Sequence, residues 1–305
     1  MLNYILTDVK NRETRLKQPL SVSIVFSEDA PAASLTAVFA VSGKVPLLLS
    51  VRVMDGNDTV FFGYIDEQTE ITRDGSLLLE IGARSREAVL LDNEAHPQTY
   101  CMPSMPLLVD RHFRKFGLTE YIGTDKAFNG ELIIKKGMSE WEVLSSFCEK
   151  FLKTVPHLSI DGIIDISGED RSSLICIGGS NKLLSVRRSR KRRMVISDIF
   201  ARTCISGGYE MHLKNEAADA YAVQKVRYVN SIDSEGKTIN TAKQIITDTN
   251  HAYESYIIEC SGSVIGAVGD RLRLEGRNFT MKINELHYVL GSEGEKTRIY
   301  AEVIG

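Results

Sequence analysis

Six histidines, forty acidic residues and five cysteines are the raw material for chemistry in this chain, and their spacing decides what they could do. His96, His112, His157, His212, His251 and His287 are dispersed, with no HExxH and no other ligand spacing, so no metal site is expected. Cys101, Cys148, Cys176, Cys204 and Cys260 are odd in number and never form CxxC; they read as free thiols of a reducing cytoplasm, mostly small core residues. Glu169 beside Asp170, and Asp248 near Glu254, are the carboxylate pairs that acid–base work would need. A chain this rich in acids supplies such neighbours by accident, however, and a glycosidase needs its pair across a cleft. No P-loop, GxGxxG or serine elbow is present, and Gly178-Gly179 and Gly207-Gly208 are isolated turn pairs. The residues assign no catalytic, cofactor-binding or metal-ligating role, and an enzyme is not expected.

One charged stretch stands apart. Arg187, Arg188, Arg190, Lys191, Arg192 and Arg193 place six cations in seven residues, interrupted only by Ser189. Strand alternation would send these charges to both faces, so the run cannot be a buried strand. It must be an exposed turn or a sheet edge, where Lys and Arg also block unwanted strand pairing. Three roles fit: a solvated hairpin tip, a contact with an acidic protein surface, or a nucleic-acid contact. The formal net charge of -3 weighs against general nucleic-acid affinity, which needs a basic surface.

The elements that would carry these residues follow from periodicity. At 305 residues the chain has room for about two domains with their own cores. No apolar run is long enough for a signal peptide or a membrane span, and no membrane partner is expected. Residues 1–90 alternate as strands, with turns at Asp55-Gly56-Asn57-Asp58 and Arg73-Asp74-Gly75, which predicts a small antiparallel barrel or sandwich. Residues 91–180 read as an α+β middle. There Ser85 should cap a short helix through Leu91, and Ser104 a second one ending at Gly117. The most consistent local signals lie in GMSEWEVLSSFCEKFL, Gly137 to Leu152. Ser139 and Glu142 form a capping box, and Met138 with Val143 a hydrophobic staple. Trp141, Leu144, Phe147, Cys148, Phe151 and Leu152 should then make one buried stripe. Asp161-Gly162 marks a hairpin within His157 to Ile166. Residues 181–305 return to strands, among them Arg193 to Ala201 and Cys204 to Ile205, broken by a helix near Asn240 to Asn250.

Val51 to Ala83 and Leu272 to Gly305 share one layout: strand, glycine turn, long strand, polar glycine turn, final strand. The order of segments is also telling. IGARSREAVLLDNEA precedes the GMSEWEVLSSFCEKF helix, followed by LSIDGIIDI, LLSVRRSRKRRMVISDIFART and VGDRLRLEG…INELHYVLGSEGEKTRIYAEV. In this the chain resembles the baseplate hub proteins of contractile phage tails and related contractile injection particles. The resemblance implies a mainly β, α+β fold with two tube-like antiparallel β-barrel domains flanking the middle domain. It further implies a homotrimer with pseudo-sixfold symmetry that joins the hexameric tail tube to the trimeric central spike. Its partners would be further copies of itself, the tube or tube-initiator protein, the spike and other baseplate proteins, with assembly in the bacterial cytoplasm. A tail-associated cell-wall hydrolase and a nucleic-acid-binding module using the basic run are the competing functions. The run itself matches no feature of that family.

Overall fold

Alternation dictates the N-terminal third. In the computed structural model the stretch from Ala30 buries Ala33, Leu35, Ala37 and Phe39 while Ser34 and Thr36 face out, the two-residue period of a strand with one covered face. The structure describes every residue except 1, 17, 29, 171, 179–182, 203–207, 231–234, 265 and 305, together with the side chains of 235–240. The chain divides into two compact units: Met1–Ser172 with Gly262–Ile265 and His287–Thr297, and Ser173–Ser261 with Gly266–Leu286 and Arg298–Gly305.

The first unit begins with β1 (Asn3–Asp8), β2 (Glu13–Arg15), β3 (Ser21–Ser27), β4 (Ala30–Val41), β5 (Leu48–Asp55), β6 (Asp58–Arg73) and β7 (Ser76–Ser85). They run in the order β3-β4-β7-β6-β5-β1-β2, each antiparallel to its neighbour. Phe39, Phe61, Leu79, Ile81, Val51 and Leu6 fill the core beneath, and Tyr288 joins them from far along the chain. Each fully buried side chain of this size contributes about 1.5–3 kcal/mol.

The expected barrel is not formed. The strand order is an open path, and among the described residues β2, where it ends, does not pair back to β3. That last strand is three residues long and exposes Glu13 and Arg15, the charged, shortened form by which a sheet edge ends instead of pairing on. The fold is therefore α+β and strand-rich, built of open sheets.

The unit continues through α1 (Ala88–Asp92), β8 (Gln98–Cys101) and α2 (Met105–Leu108), which passes through a π-helical turn, Val109–Phe113, and a 3-10 turn, Arg114–Phe116. Next come β9 (Tyr121–Ile122), β10 (Glu131–Ile134), α3 (Glu140–Phe147) with a π-helical extension Cys148–Leu152, β11 (His157–Leu158) and β12 (Ile164–Asp165). Two small sheets form here, β10 with β8 and β11-β12-β9. The Ser139 hydroxyl accepts from the Glu142 N–H at 3.2 Å, and the Glu142 carboxylate accepts from the Ser139 N–H at 2.6 Å, which completes the capping box. Ser104 caps α2, and Gly117 ends that stretch in the left-handed region at φ 77°. Ser85 caps nothing: it closes β7, accepts from Ala33 N–H and donates to Glu87, and Glu87 holds the cap position of α1. Of the stripe expected on α3 and its extension, Leu144, Phe147 and Cys148 are fully buried, and Trp141, Phe151 and Leu152 pack half-buried against the same core. Glu140 and Val143 are buried beside them.

The second unit holds β13 (Leu174–Ile177), β14 (Leu183–Arg190), a 3-10 turn Arg192–Met194, β15 (Asp198–Ala201), β16 (Met211–Lys214), α4 (Glu216–Ala220), β17 (Val226–Val229), α5 (Glu235–His251), β18 (Glu254–Ser261), β19 (Arg271–Leu274), β20 (Met281–Gly291) and β21 (Gly294–Val303); the far end of the last hairpin counts with the first unit. Its main strands again follow an open path, β14-β18-β21-β20-β19-β13, with β13 parallel to β19. A separate sheet, β16-β15-β17, packs Ile199 against Ala242, Ile245 and Ile246 of α5. The strand expected from Arg193 starts only at Asp198, because the 3-10 turn takes up Arg192 to Met194. The Cys204–Ile205 strand lies outside the described residues.

Candidate interaction surface

The basic run lies on β14 and the turn after it. Among the described residues β14 pairs with β18 alone, from Leu183 opposite Cys260 to Arg190 opposite Glu254, so it ends the sheet. A central strand would bury at least one face, yet every β14 residue except half-buried Ser189 is exposed. The apolar side chains Leu183, Leu184 and Val186 are 43%, 47% and 39% exposed. Arg187, Arg188 and Arg190 thus lie on a sheet edge, and Lys191, Arg192 and Arg193 on the turn that follows it.

Alternation splits the strand's chemistry. On one face Arg188 reaches Glu254 at 2.6 Å and Arg190 reaches the same carboxylate at 3.0 Å, while Tyr256 donates its hydroxyl to it at 2.9 Å. Partial burial would raise the Glu254 pKa, but these three bonds outweigh it and hold the carboxyl below the usual glutamate range. Burial and the neighbouring Glu254 carboxylate push the Tyr256 phenol up. On the other face a hollow of about 140 Å³ is lined by Ser185, Arg187, Ile257, Glu259, Arg298 and Tyr300. There Glu259 accepts from Ser185 at 3.0 Å and pairs with Arg298 at 2.5 Å.

Past the strand, Lys191 N–H donates to Tyr253 O at 2.7 Å, the Arg192 guanidinium donates to Ala222 O, and Arg193 O accepts from Lys225 Nζ at 2.6 Å. Among the described residues, the side chains of Arg187, Lys191 and Arg193 form no ion pair. Of the six cations, then, only Arg188 and Arg190 are neutralised by described acids, and they share one carboxylate.

Among the described residues, those that suggested chemistry are held in local contacts. Asp170 accepts from Ser172 N–H at 3.0 Å, and Asp248 from Gln244 at 2.7 Å, each within its own turn or helix. His212 meets Asp198 at 2.7 Å and stacks on Phe200. Among the described residues no three His, Cys, Asp or Glu side chains could hold a metal ion. Spacing gave no hint of one buried relay. Tyr100 hydroxyl, His112, Glu140 and Lys115 are linked at 3.0, 2.7 and 2.6 Å, with His112 and Glu140 sealed from solvent. These residues lie too far apart in sequence for any motif. The sealed pair offers no face to a substrate, so the relay joins elements of the fold instead.

No family model and no curated protein matches the chain. Solved structures do. The tail protein from Neisseria meningitidis is similar over 99% of this chain and 96% of its own, with a TM-score of 0.76 at 16% identity. The 43 kDa tail protein of prophage MuSo2 from Shewanella oneidensis is similar over 98% of this chain and 97% of its own, with a TM-score of 0.78 at 12% identity. An E. coli component of the type VI secretion system, itself similar in structure to bacteriophage T4 tail proteins, covers 94% of this chain at a TM-score of 0.58 and 8% identity, with 74% of its own length matched. From end to end, the chain has the fold of phage tail proteins.

Proposed function

We propose that the chain is a structural hub of a contractile tail or a related injection particle, working through its surfaces rather than through a reaction. The observation that carries this is the end-to-end likeness to two tail proteins at TM-scores of 0.76 and 0.78. In the finer reading, three copies assemble around the particle axis, meeting a sixfold tube on one side and a threefold spike on the other. A threefold assembly meets all six subunits of a sixfold one alike when each chain supplies two similar parts. Two meanders of one layout support that arrangement. β5-β6-β7 turns at Gly56 and Gly75, at φ 60° and 76°, and β19-β20-β21 turns at Gly276 and Gly294, at φ 74° and 92°. Separate cores, one drawn from Leu2 to Ala83 together with Tyr288 and one from Leu90 to Ile166, support a division near residue 90. Localisation in a tail baseplate assembled in the bacterial cytoplasm belongs to the same reading.

The test is the native mass of the purified chain, alone and mixed with tube and spike proteins of its particle. Three chains per complex, recovered with both partners, is the expected result. A monomer that captures neither partner, or one that degrades peptidoglycan, would replace the hub with another function.

A further inference from the structure

The open edge of β14 has three properties that together define an occupant. Its backbone is unmet on the outer side among the described residues. Lys191 N–H donates inward to Tyr253 O, and in an antiparallel pair the inward-bonding positions recur every second residue. Arg187 and Ser189 therefore bond toward β18, whereas Val186, Arg188 and Arg190 turn their N–H and C=O groups outward. Leu183, Leu184 and Val186 expose apolar side chains along the same edge. Finally, Arg187, Lys191 and Arg193 carry charges that no described acid neutralises.

We propose that this edge takes up an extended acidic segment of a partner protein as an added strand. An extended peptide matches donors with acceptors along the edge at the strand's own two-residue period. A nucleic-acid backbone offers phosphate acceptors only, so it would leave the outward carbonyls of Val186, Arg188 and Arg190 unmet. A second copy pairing β14 against β14 would set two basic runs side by side, and like charges opposed across an interface are strongly unfavourable. The cations that prevent that self-pairing are the same ones that select an acidic strand. In the bound state, one side of the added strand lies beside Arg187 and the hollow with Ser185 and Arg298, and the other beside Arg188 and Arg190. The edge would do this in whatever assembly the chain serves.

The experiment uses the full-length chain and fluorescent synthetic peptides, read by anisotropy at low and high salt. One peptide alternates Glu with Val, a second replaces Glu by Lys, and a third is the acidic peptide N-methylated at alternate residues. The acidic peptide should bind in a salt-sensitive way and the lysine peptide should not. N-methylation removes ladder hydrogen bonds, and should weaken binding about tenfold or more. Val186→Pro, which deletes an outward N–H at an edge position that tolerates proline, should do the same while thermal unfolding stays that of the parent. The combined Arg187→Ser, Lys191→Ser and Arg193→Ser variant changes side chains that pair with no described acid, so it should fold normally and lose the salt-sensitive part. Four results would overturn the proposal: no binding of the acidic peptide, equal binding of its methylated form, tighter binding of a single-stranded oligonucleotide, or a self-associated chain that Val186→Pro dissociates.

Discussion

Glu140→Gln is the sharpest probe of the first unit, because it alters charge at a sealed position without altering size. Glu140 sits in the first turn of α3, where a negative charge is favoured by the helix N-terminus. One carboxylate oxygen meets His112 Nδ1 at 2.7 Å and the other accepts from Lys115 at 2.6 Å. A glutamine amide can accept from one of these neighbours but turns an N–H₂ toward the other. Breaking a fully buried pair costs about 3–5 kcal/mol. Here Lys115 is 51% exposed and can turn to water, so the loss reduces to hydrogen bonds with charged groups, about 1.5–3 kcal/mol. The pH dependence has a definite sign. Burial alone would raise the Glu140 pKa, but the hydrogen bonds and charges of His112 and Lys115 outweigh it and the carboxyl is held below the usual range. A depressed folded-state value means stabilisation that is complete above the ordinary glutamate value, about 4.3, and is lost as pH falls below it through the folded value. Urea titrations read by the single tryptophan, Trp141, should therefore show parent and variant well apart at neutral pH and converging in acid. A neutral-pH gap under about 0.5 kcal/mol, within the range of ordinary surface substitutions, or a gap unchanged down to acid, would refute the buried relay.

Burial and capping set the other expectations. Phe147→Ala empties a fully buried site beside Phe128 and Phe151 and should cost about 3–5 kcal/mol by thermal denaturation, with half-buried Trp141→Ala clearly milder. Ser139→Ala removes one half of the capping box and should cost about 1 kcal/mol. Cys148 and Cys260 are buried, and burial pushes the Cys148 thiol up to about 12, so both should resist a thiol reagent in the native protein while exposed Cys101 and Cys176 react. In denaturant all five cysteines of the sequence should react without prior reduction; a count of three or one would reveal a disulfide.

Local signals were legible where the sequence alone satisfies them. The capping box at Ser139, the left-handed stop at Gly117 and the Asp161-Gly162 hairpin each depend on a few neighbouring residues, and each formed. What depended on distant partners was not legible. Ser85 has the right chemistry for a cap, but Ala33 N–H across the sheet claims its oxygen. The burial of Glu140 depends on His112 and Lys115, which lie 28 and 25 residues away in the chain. Barrel closure is of the same kind: alternation and turns describe hairpins, and only the long-range strand order shows that β2 ends the sheet. The basic run could be placed on an exposed turn or an edge from charge and alternation alone, but which of its cations meet Glu254 required the β14–β18 register.

Tyr288 in the core of the first unit has a consequence for how the chain is made. Ser263 also reaches back to this unit, donating to Asp55 across 208 residues. Strands β1 to β7 thus leave the ribosome long before the side chains that complete their packing. At about 5–20 residues per second, the interval between emergence of Ser85 and of Tyr288 is roughly 10–40 s. During that time the apolar face around Phe39 and Phe61 lacks part of its cover, and the nascent chain should be a client for whatever holds unfinished strands apart in the cell. A protein stalled or truncated before residue 288 would leave the core of its first seven strands without the Tyr288 ring that packs into it.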